Sequence, residues 1–166
     1  MEINFLALFV AALFVAALST LVIGFIWYSP KVFGTIWMKE SGLTEEKMKG
    51  ANMPVIFIMA VFFALLIAMI LQFLTIHQWG AFGMIGGGGA ADIKPSYAAF
   101  MNDYGTAYRT FKHGALHGFL AGLFLAFPMI ATNALFERKS WKYTFINSGY
   151  WMLCFMIMGG IICAWQ

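Results

Sequence analysis

HGALHGFLAGLFLAFPMIATNALF, residues 113–136, runs for 24 positions without an Asp, Glu, Lys or Arg. A helix needs roughly 20 apolar residues to cross the hydrocarbon core of a bilayer, so this stretch reads as a membrane span. Two patterns are written into it. Small residues recur every four positions at Gly114, Gly118, Gly122 and Ala126, the spacing that lets helix backbones approach closely. His113 and His117 stand one turn apart beside that ladder, about 100° around the helix from it. Pro128 removes a backbone donor and predicts a kink.

The rest of the chain fits the same solvent. Of its 166 residues 62% are hydrophobic and only 10% charged, with mean hydropathy +0.81, against about 25% charged in soluble domains. This excludes an ordinary soluble domain. Three further segments reach span length, giving four spans at about 3–28, 54–77, 113–136 and 143–165. Trp27, Tyr28, Trp141, Tyr143 and Trp165 fall at span ends, where amphipathic rings favour the interface. The first span repeats FVAAL at 9–13 and 14–18, and no function is attached to that. The N-terminus has Glu2 where a signal peptide would carry basic residues, so the first segment reads as a retained span. The predicted fold is all-α: one domain forming a four-helix transmembrane bundle with short amphipathic interfacial helices in the connections.

The net charge of +3 does not point to nucleic acid, because the basic residues sit in the connections. Lys31, Lys39, Lys47, Lys49, Arg138, Lys139 and Lys142 fall on one side of a four-span topology, and Lys94, Arg109 and Lys112 on the other. The positive-inside rule then places both termini outside. In KVFGTIWMKESG, Val32, Phe33, Ile36 and Trp37 have helical spacing and predict a short helix lying on the membrane. Thr44 before Glu45 and Glu46 predicts a helix N-cap. After the GGGG break at 86–89, the spacing of Tyr97, Phe100, Met101, Tyr104, Tyr108 and Phe111 predicts an outer surface helix leading into the third span. Cys154 and Cys163 lie nine apart, on opposite faces of one helix, and cannot bridge within it.

Polar groups inside a bilayer are costly and mark candidate sites. They collect at two levels. His77, His113 and His117 share one end, because a single connection joins their spans. Three imidazoles suit zinc or another transition metal with an open position, and two facing ones suit axial haem ligation. The plainer alternative is interfacial histidines hydrogen-bonded to water or a neighbouring helix. The turn Gly114-Ala115-Leu116 carries no acid, so the pair is not the zinc-protease motif. At the other level lie Tyr28, Thr132, Asn133, Glu137, Asn147 and Ser148, where Asn133 and Asn147 are placed to meet. Amides there can tie helices together or meet a lipid headgroup. No acid or base lies mid-span, which argues against a single-chain ion pump. The glycine ladder is expected to pack on Ala-rich span one or on a second copy of the chain.

GFIWYSPKVFGTIWMKESGLTEEKMKG (24–50), ATNALFERKSWKY (131–143) and INSGYWMLCFMIMGGIICAW (146–165) together resemble a bacterial family of small four-span membrane proteins classed as a domain of unknown function. The resemblance covers nearly the whole chain and is clearest at the Trp-Tyr-Ser-Pro turn. It implies a bacterial inner membrane, and it brings no reaction, substrate or catalytic residue. The leading functional expectation is a non-enzymatic membrane binding or scaffold protein that meets lipids, a membrane protein partner or further copies of itself. The alternatives are a metal or haem protein using the three histidines, and an oligomeric transporter or channel lined by Gln72, Thr132, Asn133 and Asn147.

Overall fold

The computed structural model describes residues 5–87 and 93–165. The expected start of the first span at residue 3 and Gly88 and Gly89 of the GGGG run lie outside the described residues. The described residues form helices joined by turns: α1 (Phe5–Trp27), α2 (Gly34–Ser41), α3 (Glu45–Lys49), α4 (Met53–Thr75), α5 (Gln78–Met84), α6 (Pro95–Tyr104), α7 (Phe111–Ala121), α8 (Phe127–Phe136) and α9 (Trp141–Ala164). A π-helical turn, Gly122–Ala126, joins α7 to α8. Together, α1, α4, α7–α8 and α9 supply four helices long and apolar enough to cross a membrane. The fold is therefore all-α, as the sequence predicts, and the chain is a multi-pass membrane protein.

The interior is built from small side chains and the exterior from large ones. On α1, Ala12, Ala16, Ala17 and Thr20 are buried while Phe14, Leu18 and Val22 are exposed. On α4, Ala64, Ala68, Gln72 and Thr75 face inward and Phe62, Met69, Ile70 and Phe73 outward. Lipid tails solvate a large apolar side chain as well as a protein core does, so close backbone approach decides which face turns inward.

Helix α9 stands at the centre, packed against α1, α4, α7 and α8. Its opposite faces are both covered, so Cys154 and Cys163 are each fully buried and free. The glycine ladder corrects one expectation. Gly114, Gly118 and Gly122 pack on α9, not on α1. A Cβ added at Gly114 or Gly118 would overlap the carbonyl oxygens of Gly159 and Phe155, and one at Gly122 would stand 2.7 Å from Met152 Cα. The reason is reciprocity: α9 brings Gly159 to the contact, so backbone meets backbone, which an alanine face on α1 cannot match. Ala126, the fourth member, is only half-buried, because the helix changes register in between.

That change is the π-helical turn. Phe127 N–H donates to Gly122 O, five residues back. Pro128 follows inside the first turn of α8, where it has no N–H to give and its ring crowds the preceding turn. The wider turn absorbs both problems. Beyond it α8 stays on α9, while α4 packs on α7.

The connections differ from expectation in detail. Phe33 and Trp37 turn toward the bundle: Phe33 packs on Trp27 at 4.6 Å and Trp37 on Tyr28 at 5.0 Å. Val32 and Ile36 stay exposed. A turn over Tyr28–Phe33 folds α2 back onto α9, and Gly34 permits it, since a Cβ there would overlap Tyr28 O. Thr44 caps α3 as predicted, accepting from Lys47 N at 3.3 Å. The outer surface helix ends at Tyr104 and does not lead into the third span, because Tyr108 takes a left-handed φ of 62° and Thr110 caps a new helix at Phe111.

Candidate functional site

Three elements deliver the three histidines to one place. His77 sits at the corner where α4 ends and α5 begins, two residues past the end of α4 and not on its last turn as expected. His113 and His117 occupy the first two turns of α7, which Thr110 starts by accepting from His113 N at 3.3 Å. The ring nitrogens of the three converge within 4.8 Å of one another. His113 Nε2 and His77 Nε2 are 2.9 Å apart, and the rings of His77 and His117 meet edge-on at 4.9 Å. His113 and His117 are half-buried and His77 exposed. A recess of about 240 Å³ opens on His77, walled by Phe100, Tyr104 and Tyr108.

The elements that carry these rings are bonded to each other. Cys163 Sγ, near the end of α9, lies 3.3 Å from Thr75 O and 3.4 Å from Tyr108 O and can donate to either. Arg109 donates from Nε to Cys163 O at 2.8 Å and from Nη2 to Trp165 O at 2.6 Å. These carbonyls belong to the last turn of α9, which has no intrahelical partners for them. Gln78 Nε2 donates to Tyr104 O at 2.7 Å and Ala107 O at 3.0 Å, holding the loop from the other side.

The second polar level divides. Asn147 Oδ1 accepts from Tyr28 Oη at 3.1 Å and Trp37 Nε1 at 3.2 Å, while Asn147 Nδ2 donates to Tyr143 O at 2.8 Å. Ser148 is buried in the bundle, and its hydroxyl has no partner among the described residues. Thr132 is exposed and joins neither group. Asn133 and Glu137 line a recess of about 240 Å³ that Asn147 also borders. Asn133 and Asn147 thus share a recess, and the hydrogen bonds of Asn147 go elsewhere. Gln72 is buried on the last turns of α4, toward the histidine end, at the opposite level from Asn133 and Asn147.

A model of the DUF1761 family, described as proteins of unknown function, matches residues 11–163. The chain belongs to this family. No curated protein and no solved structure matches it. The matched region holds both polar levels, from Tyr28 to Asn147 and all three histidines.

Within this DUF1761 chain the histidine geometry suits a bare ion better than a haem. Imidazole nitrogens 2.0–2.1 Å from a tetrahedral zinc stand about 3.3 Å apart; the His77–His113 pair is near this at 2.9 Å, and the third nitrogen lies within 4.8 Å of both. Axial haem ligands need the porphyrin plane between two rings, and here a third imidazole crowds each pair.

The residues that sequence reasoning missed are Tyr108, Arg109 and Cys163. Arg109 counted there only as a basic residue on the less basic side. Its task is to cap α9, and no spacing rule connects positions 109 and 163. Arg109→Met is therefore expected to lower stability by about 2–3 kcal/mol, the range for charge-assisted hydrogen bonds. Thermal unfolding in detergent measures it, and an unchanged midpoint would show that the cap contributes nothing.

Proposed function

We propose that this protein is a membrane metal-binding protein that holds a divalent transition ion on His77, His113 and His117. The observation that carries the reading is the convergence of three imidazoles from the α4–α5 corner and α7 within 4.8 Å. Imidazole donors favour zinc, copper, nickel or iron over calcium and magnesium, and zinc suits three neutral nitrogens with a fourth, open position. The turn between His113 and His117 carries no acid, so the reading is one of ion binding and not of zinc-protease chemistry. This takes up the metal-protein alternative of the sequence reading in place of the leading expectation of a scaffold that meets lipids or a partner. The charge bias of the connections and the family resemblance support a bacterial inner membrane with the histidine end outside, where an ion would arrive from the external medium.

Metal analysis of tag-free protein purified from membranes tests the reading. About one equivalent of metal is expected, and zinc at 100 times its Kd raises stability by about 2.7 kcal/mol. Outer-shell changes at metal sites already cost 10–100-fold in affinity, so His117→Ala is expected to cost more than about 100-fold. Protein that carries no metal and does not shift its melting temperature with zinc, copper, nickel or ferrous iron would overturn the proposal.

A further inference from the structure

We infer that the groove between α4 and α8 is a binding site for one phospholipid with a primary ammonium headgroup, of the phosphatidylethanolamine type. The site has two compartments that share walls. The first is an apolar cleft of about 430 Å³, lined by Leu66, Ile70, Leu74, Leu125, Met129 and Phe155 among others. It exists because the π-helical turn redirects α8: α4 packs on α7 before the turn and leaves α9 as the cleft floor after it. The second is the polar recess of Asn133, Glu137, Tyr143 and Asn147. Ile130 and Trp151 line both, so the cleft and the recess adjoin along α8 and α9.

The distance from the recess into the cleft is close to the depth of one leaflet. From Glu137 to Leu125 the helix advances twelve residues, about 18 Å, and Tyr143 to Phe155 covers the same rise on α9. A leaflet contributes about 15 Å of a 30 Å hydrocarbon core, with the headgroup beyond it. An acyl chain that descends from the recess therefore reaches the part of the cleft walled by Leu125, Ile130 and Phe155, and the α4 wall from Leu66 to Leu74 continues toward the histidine end.

Charge selects the headgroup. Glu137 caps the C-terminus of α8, where the helix dipole already makes the potential negative and a carboxylate is out of place. Among the described residues no hydrogen bond or ion pair engages the side chains of Glu137 or Asn133. Both offer acceptors to an ammonium that can donate several hydrogen bonds. Lys139, the nearest lysine in the connection, is occupied by Ser41 O at 3.1 Å and the Tyr143 ring. Arg138 and Lys142 are exposed on the same connection and supply positive charge for the phosphate. An acid lining the recess, with bases on the neighbouring residues of the chain, matches a zwitterion with a donor ammonium, while a choline headgroup has no N–H to give.

Native mass spectrometry of detergent-solubilised protein, equilibrated with equal amounts of phosphatidylethanolamine, phosphatidylcholine and phosphatidylglycerol, tests this inference. One bound phosphatidylethanolamine is expected, retained about tenfold over phosphatidylcholine, as for one charge-assisted contact. Glu137→Gln, an exposed change, should erase the preference and leave chain binding in place. Met129→Trp, which fills the cleft from an exposed position, should reduce retention of all three lipids. Equal retention of the three lipids by the unaltered protein overturns the inference, as does a preference that survives Glu137→Gln. A dimer that Met129→Trp dissociates would also overturn it, since a second copy would then cover the cleft. If Met129→Trp does not fold, the Glu137→Gln comparison decides by itself.

Discussion

Replacing Gly118 by valine is expected to prevent the bundle from assembling, and replacing it by alanine to lower stability by about 1–3 kcal/mol, the range for an overpacked contact. The atoms a Cβ would meet are Phe155 O, Phe155 C and Met156 Cα. These are backbone atoms of the central helix and cannot turn aside as a flexible side chain could. The sign makes the test sharp. In a helix interior alanine is better than glycine by about 1 kcal/mol, so Gly→Ala at an unpacked position stabilises. At Gly118 the same change is expected to destabilise, and only the contact with α9 can reverse the sign. Unfolding midpoints in detergent measure it, with Leu116→Ala, at an exposed position on the same helix, as the control expected to change little. Gly118→Ala as stable as the unaltered protein would mean that α7 is not seated on α9. The histidine cluster would then lose its footing, because α7 carries two of the three rings.

The second large effect lies at the opposite end. Asn147→Leu keeps the branched four-atom side-chain skeleton and removes the acceptor shared by Tyr28 Oη and Trp37 Nε1. Interhelical hydrogen bonds in membranes contribute about 0.6–1.7 kcal/mol each, so losing two gives an expected loss of about 1–3 kcal/mol. The loss should be local as well as global. Helix α2 is held to α9 by Trp37, by Lys139 Nζ donating to Ser41 O at 3.1 Å and by Ser140 Oγ donating to Glu40 Oε2 at 2.5 Å. Without the first of these, cleavage by protease in the connection after Ser41 is expected to speed up before the bundle unfolds. A variant with the same midpoint and the same cleavage rate would show that Asn147 does not hold α2.

The two ends of the bundle show how far one-dimensional reading reaches. Four spans were legible because transfer into lipid is close to additive along a helix, and a run such as residues 113–136 needs no partner to declare its solvent. The shared end of the three histidines was legible too, because one connection joins α4 to α7 and a membrane permits only two sides. The sequence also marked Gly114, Gly118 and Gly122 as a close-packing seam, and it named the polar residues at each level. These are properties of single helices and of the order in which they follow one another.

Choice of partner belongs to three dimensions. The alanines of α1 and the glycines of α9 both offered the ladder a smooth face, and only the bundle shows α9 at the centre with Gly159 meeting Gly114. Phe33 and Trp37 had helical spacing with Val32 and Ile36, yet the turn at Tyr28–Phe33 sends them inward, where Trp37 finds Asn147. Tyr108 adopts a left-handed φ that bulky residues seldom take, and Arg109 reaches carbonyls 54 and 56 residues away. Local propensity carries no information about either. That three histidines sharing an end also bring their nitrogens within 4.8 Å was decided in the same way, by the backbone contact between α7 and α9 and by the bonds of Cys163 and Arg109 that hold the corner and the loop together.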